Sequence, residues 1–257
     1  MKLHIQTHGY GPNDLVLIHG WAMHGGVFAP LLPYLQHDFH LHLVDLPGHG
    51  HSRESTVPLT LDACVDAIAA HVPDTAIWCG WSLGGLVALH AAASGVPMQA
   101  LAMLCATPCF VHRDDWPHGM SPTVFADFAH GLHYDWQGTL DRFLALEAFG
   151  SDHAKEELRS LRDALLARGK PALSVLADGL DILQNTDLRP ALPSLQTRST
   201  WIAGRRDRLV NPQAMQAATE IATDARFINI AQAGHAPFLT HAAEVAHGIK
   251  QLLEAAP

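Results

Sequence analysis

The 257-residue chain contains no run of roughly 18 apolar residues, so no membrane-crossing helix is expected. Positive charge is also scarce. Sixteen Lys and Arg face 25 Asp and Glu, a net charge of −9 with histidine neutral. That balance argues against a domain-wide basic surface for nucleic acid. The opening MKLHIQTHGYG has no apolar segment behind its lysine, so no signal peptide is read there and a cytoplasmic protein is expected. Cysteine is limited to Cys64, Cys79, Cys105 and Cys109, none of them in a CxxC pair. Cys105 and Cys109 lack the second pair that a zinc site would need, and buried thiols in a reducing compartment are expected.

Histidine, by contrast, is abundant at 19 residues, and apolar types make up 48% of the chain. That is enough for one large α/β core. His40/His42 and His49/His51 are each two apart, and His241/His247 fit one helix, yet no HExxH or similar ligand set is present. Neither a metal nor an organic cofactor is expected.

Short apolar runs at 15–18, 41–44, 76–80, 100–105, 200–203 and 227–230 read as buried strands. Helical patterns fall between them at 61–71, 83–93, 212–221 and 237–253. This alternation predicts a mostly parallel sheet with helices on both faces. A hairpin of residues 3–7 with 15–18 is expected to add an antiparallel edge. Between about 111 and 192 the strands stop, and four amphipathic patterns (122–131, 136–149, 152–167 and 172–184) predict an all-helical cap. The expected division is a core of residues 1–110 and 193–257 with a cap of 111–192 inserted in it.

Gly80-Trp81-Ser82-Leu83-Gly84, followed by Gly85, is a G-x-S-x-G motif set after a strand and before a helix. A turn that tight leaves room for little but glycine two residues either side of the nucleophile. It lifts the Ser82 hydroxyl above the sheet at a helix N-terminus, where developing negative charge is favoured. A serine needs a base held by an acid, and in this arrangement the chain order is Ser, then Asp or Glu, then His. Asp207 follows the strand TWIAG, and His235 follows FINI within AGHAPF. Of the histidines beyond Asp207, His241 and His247 fall in a helical pattern, which leaves His235. One oxyanion N–H is expected from Leu83. The other is expected from the loop His19-Gly20-Trp21, with Trp21 preferred and Ala22 as the competing register. His19 is expected to brace that loop.

His19-Gly20-Trp21, Asp45-Leu46-Pro47-Gly48-His49-Gly50-His51-Ser52 and Gly80-Trp81-Ser82-Leu83-Gly84-Gly85 resemble the α/β-hydrolase superfamily. More narrowly, HLHLVDLPGHGHS, AIWCGWSLGGLVAL, RFLALEAFG and GHAPFLTH resemble the pimeloyl-carrier-protein methyl ester esterases of biotin synthesis, along nearly the whole chain. That resemblance implies a seven-carbon acyl chain, joined as a thioester to acyl-carrier protein at one end and carrying a methyl ester at the other. Trp21, Trp81, Leu83, Phe143, Leu144 and Leu146 could line an apolar tunnel for it. The family's contact stretch maps onto Phe143, Leu144, Ala145, Leu146 and Glu147, where Glu147 replaces an expected Gln and raises the question of a charge beside the acyl path. Lys155, Arg159 and Arg162 share one helix face by spacing, and the resemblance places Arg142, Lys155 and Arg159 at carrier-docking positions. Gly138 stands where another basic residue is expected. A monomer is expected.

Serine at position 82 excludes a haloalkane dehalogenase, which carries Asp at the elbow. A broad short-chain esterase, a carbon–carbon bond hydrolase and a hydrolase-fold ligand receptor are the competing readings. Fold likeness alone does not choose among them.

Overall fold

The computed structural model describes residues 2–254. Its seven strands are β1 (His4–His8), β2 (Asn13–Ile18), β3 (Phe39–Asp45), β4 (Ile77–Trp81), β5 (Ala100–Leu104), β6 (Ser199–Gly204) and β7 (Ala225–Ile230). They form one sheet in the order β1-β3-β2-β4-β5-β6-β7. Every pairing is parallel except that of β1 with β3. The central strands IWCGW and ALAML are buried at every position, as two covered faces demand. The edge strands HIQTH and ARFINI keep polar residues and are only partly buried.

The expected hairpin does not form. The antiparallel edge strand pairs with β3, with Ile5 opposite Val44 and His8 opposite Leu41. β2 has no free side, because Leu15 already lies between Leu41 of β3 and Ile77 of β4. The chain therefore crosses the start of β3 before entering β2. Gly9 turns there with φ +77°, and a Cβ on Gly11 would overlap the Asp38 backbone. The Tyr10 and Gly11 N–H groups donate to the Gln36 and Phe39 carbonyls during the crossing.

The helices that flank the sheet in the first half of the chain are α1 (Leu32–Leu35), α2 (Leu61–Ala69) and α3 (Leu83–Ala93). α3 carries almost no polar side chain and is buried nearly all round, which places it under other elements rather than at the surface. Four helices follow between β5 and β6: α4 (Pro122–Tyr134), α5 (Trp136–Ala148), α6 (Ala154–Ala167) and α7 (Leu173–Asn185). Ser121 and Asp135 cap α4 and α5 by accepting from the Thr123 and Gly138 N–H groups. The last three are α8 (Pro212–Ile221), α9 (Pro237–Thr240) and α10 (Ala242–Lys250). The single terminal helix expected over 237–253 is thus broken at His241. The break sits where the Thr240 hydroxyl donates to Glu157 Oε1 of α6 at 2.6 Å. Residue 1 and residues 255–257 of the expected core lie outside the described residues.

Candidate active site

Ser82 is the single residue between the end of β4 and the start of α3, at φ +54° and ψ −118°. A non-glycine residue held there stores roughly 1–3 kcal/mol of backbone strain. The surroundings explain why it stays. Its N–H donates to Leu104 O at 3.1 Å, and its carbonyl accepts the Gly85 N–H at 2.9 Å. A Cβ on Gly80 would overlap the Gly84 carbonyl, one on Gly84 the Ile18 carbonyl, and one on Gly85 the Ala106 side chain. Three glycines around one serine are therefore a packing requirement of this turn.

Asp207 leaves the end of β6 and His235 the end of β7, so all three residues gather at the C-terminal edge of the parallel strands. His235 Nδ1 lies 2.7 Å from Asp207 Oδ2, with both side chains buried. Asp207 Oδ1 accepts from the Leu209 and Val210 N–H groups at 2.8 and 2.9 Å. An aspartate fixed from two sides can orient the ring so that Nδ1 carries the proton and Nε2 is left as the base. His235 Nε2 and Ser82 Oγ are both buried and have no hydrogen-bond partner in the protein. Cys105 stands close behind, its Sγ within 4.8 Å of the His235 and Asp207 ligand atoms. Burial and then the Asp207 charge push its thiol well above the usual range, so it is neither a thiolate nucleophile nor a ready metal ligand.

The loop after β2 lies against the nucleophile: a Cβ on Gly20 would stand 3.2 Å from Ser82 Cβ. His19 holds this loop, with Nδ1 at 2.7 Å from Gly20 O and Nε2 accepting the Leu46 N–H at 3.0 Å. Burial, and then His49, lower the His19 pKa to about 3, so the ring is a neutral brace. The indole N–H groups of Trp21 and Trp81 donate to Leu176 O and His235 O, each at 2.8 Å. Phe143 meets the Trp21 ring edge-on at 4.6 Å between centroids.

Phe143, Leu144 and Glu147 are buried, Leu146 is half-buried and Ala145 is exposed. The Glu147 carbonyl accepts the His235 N–H at 3.3 Å, yet neither of its carboxyl oxygens has a partner. Burial, and then the Asp207 charge, push that carboxyl well above the usual range. Both causes favour its neutral form. The basic residues of the inserted helices are exposed, and the three arginines each face an acid: Arg142 near Asp135, Arg159 near Asp163 and Arg162 near Asp141. Lys155 is exposed on the same helix as Arg159. Gly138 gives its N–H to the Asp135 cap at 3.0 Å.

Residues 14–242 match the alpha/beta hydrolase fold family. The chain belongs to that family. Within it, the chain is 58% identical to the "Pimeloyl-[acyl-carrier protein] methyl ester esterase" of Stenotrophomonas maltophilia (strain K279a), over 98% of this chain and 97% of that one. It is 55% identical to the protein of the same name from Xanthomonas campestris pv. campestris (strain B100), over 99% and 100% of the two chains. Among solved structures, an esterase from Exiguobacterium antarcticum superposes with a TM-score of 0.86 at 18% identity, covering 98% of this chain and 96% of the other.

This hydrolase-fold chain also carries a cluster that sequence reading missed. Arg168, at the end of α6, places NH1 3.0 Å from Asp45 Oδ2 and NH2 2.7 Å from Gln6 Oε1. Asp45 also accepts from the Gly25 and His51 N–H groups, each at 2.7 Å. The Arg53 side chain reaches Arg168 O, and His24 Nε2 lies 2.7 Å from Ala164 O. Burial alone would raise the Asp45 pKa, but the His51 and Gly25 amides and the Arg168 charge help hold the carboxyl below its ordinary value. Asp45 sits in the DLPGHGHS segment, so half of the signal was visible. Nothing in the sequence around Arg168 points to its partner.

Proposed function

We propose that the chain hydrolyses the methyl ester of pimeloyl-[acyl-carrier protein], releasing methanol and the free carboxylate, with Ser82, His235 and Asp207 as its triad. The observation that carries this reading is the buried Asp207–His235 pair behind a strained Ser82, in a chain 58% identical to an esterase of that name along nearly its whole length. Ser82 Oγ attacks the ester carbonyl as His235 Nε2 takes its proton, and Asp207 holds the imidazolium in place. The Trp21 and Leu83 N–H groups stabilise the oxyanion. His235 then protonates the departing methoxide, and water activated by the same ring cleaves the acyl-enzyme. No step calls for a metal or an organic cofactor.

Helices α4–α7 serve as a cap, and residues 111–192 are its extent. Trp21, Trp81, Leu83, Phe143, Leu144 and Leu146 receive the polymethylene chain, with Ala145 contributing backbone. Burial disfavours a charge on Glu147 against that chain. Arg142, Lys155, Arg159 and Arg162 form the dock for the acidic carrier, where charge acts on encounter more than on affinity. No helix among the described residues is long and apolar enough to cross a membrane. Four free, buried cysteines suit a reducing cytoplasm. The chain works as a monomer.

Methanol release from the carrier-linked methyl ester, compared with a free short-chain methyl ester, tests the reading. Strong preference for the carrier-linked ester is expected, with a loss on the order of 10³-fold or more in Ser82→Ala. Equal turnover of both esters would leave a general esterase. No turnover of either would sink the proposal.

A further inference from the structure

Read along the chain, His40 and His42 are a pair two residues apart with no third ligand in reach. The sheet supplies one. Residues two apart on a strand share a face, so both rings project from the same side of β3. The parallel register sets Asp14 of β2 opposite His40. Asp14 Oδ1 stands 2.8 Å from His42 Nε2 and 3.2 Å from His40 Nδ1. The two rings meet edge to face at 4.7 Å, and the three candidate ligand atoms all lie within 4.8 Å of one another. Ester hydrolysis has no use for them. Asp14 lies four residues before Ile18, about 13 Å along β2 from the sheet edge that carries the triad.

We propose that Asp14, His40 and His42 form a binding site for one divalent transition-metal ion of the zinc type, separate from the esterase centre. Ligands bound at about 2.0–2.1 Å around a tetrahedral ion lie about 3.3 Å apart. The 3.2 Å between Asp14 and His40 is near that figure, and the 2.8 Å between Asp14 and His42 must open by about half an ångström. Two imidazoles with one carboxylate select zinc, nickel or copper over magnesium or calcium. Exposure is graded across the cluster, from 8% for the His42 side chain through 22% for Asp14 to 44% for His40. His42 is the fixed inner ligand, and the His40 side is the path by which the ion enters and water completes its coordination. Without the ion, each facing ring nitrogen carries a proton towards the same oxygen. On binding, the ion takes the place of that proton at each facing nitrogen. The ion ties β2 to β3 and stabilises the folded chain by mass action.

Calorimetric titration of the whole chain with zinc chloride tests this, with nickel chloride as a second probe. One equivalent is expected to bind and to raise Tm, while ester turnover is unchanged at that equivalent. Asp14→Asn and His42→Gln are each expected to lower the affinity by about tenfold or more. His40→Ala, at the most exposed position, gives the same readout if the more buried substitutions disturb folding. Binding of undiminished strength in Asp14→Asn and His40→Ala would overturn the proposal, as would the absence of any saturable site. So would loss of ester turnover with the first equivalent, which would move the ion to the Cys105, Asp207 and His235 group.

Discussion

Helices α4–α7 and the turn after α6 meet the rest of the chain in two chemically different ways. Over the triad the contact is made of rings and carbonyls: Phe143 against Trp21, the Trp21 indole on Leu176 O, and the His235 N–H on Glu147 O. At the end of α6 it is made of charge, with Arg168 set into Asp45 and Gln6, and Arg53 and His24 closing on the neighbouring carbonyls. Ring pairs and single hydrogen bonds are each worth only about 1 kcal/mol and can re-form after a displacement. A buried ion pair has no comparable alternative partner, and separating it leaves a charge without compensation. Substrate entry is therefore expected to lift the ring end while the charged end stays seated.

The largest effect should come from breaking the charged end. Arg168→Met leaves Asp45 buried with its backbone donors alone, and about 3 kcal/mol should be lost in urea unfolding. The Asp45 carboxyl lies below its ordinary pKa in the folded state. Its contribution is thus complete above the unfolded value of about 3.9 and fades as pH falls through the folded one. The wild-type chain should show that acid loss, and Arg168→Met should show less of it. Equal acid sensitivity in both would place the titrating group elsewhere.

The ring end is tested by Gly179→Ala. The added Cβ would lie 2.6 Å from Trp21 Cδ1, so α7 or the indole must move. A cost of about 1–3 kcal/mol is expected, with a fall in kcat/KM larger than the stability change alone would explain. If Tm falls and kcat/KM does not, Trp21 has no part in positioning the ester.

Glu147→Gln sharpens the comparison from within. The folded Glu147 carboxyl is raised, so above about pH 4.3 the unfolded chain gives up this proton while the folded chain keeps it. Wild-type stability is therefore eroded as pH rises from there towards the folded pKa. The variant has no such slope, and its urea midpoint should gain on wild type as pH rises above about 4.3. Parallel curves would mean that Glu147 is not held neutral.

The smallest effect on stability belongs to the exposed basic residues of α5 and α6. Reversing Arg142, Lys155 and Arg159 to Glu should change unfolding by about 0.5 kcal/mol or less per site, since exposed pairs contribute little. KM for the carrier-linked ester should rise, more at low salt than at high salt, while turnover of a free methyl ester stays the same. An equal rise for both esters would deny these residues a docking role.

What could be read from the sequence follows how local each signal is. Ser82 announces itself, because the glycines that its turn requires lie within three residues of it. Asp207 and His235 are legible because each follows a short apolar strand and the triad has a fixed order. β1 was expected to pair with its neighbour in sequence, but strand order depends on which edges remain free, and β2 has none. Arg168 and Asp14 are harder still. Their partners lie 123 residues away across the ion pair and on an adjacent strand whose register no motif encodes. Glu147 is visible as an unexpected acid, but its raised pKa follows from burial beside Asp207, which only packing supplies.

The sealing of Ser82, 1% exposed, makes its hydroxyl a clock for the opening of the structure around it. A small sulfonyl fluoride can reach the hydroxyl only during an opening event. Its labelling rate should climb with reagent concentration and then level off at the frequency of opening, whatever ester the enzyme normally receives. That plateau, measured with no substrate present, gives an upper bound on turnover set by motion rather than bond chemistry. A variant that loosens the packing over Ser82 would raise it even while making the chain a poorer catalyst.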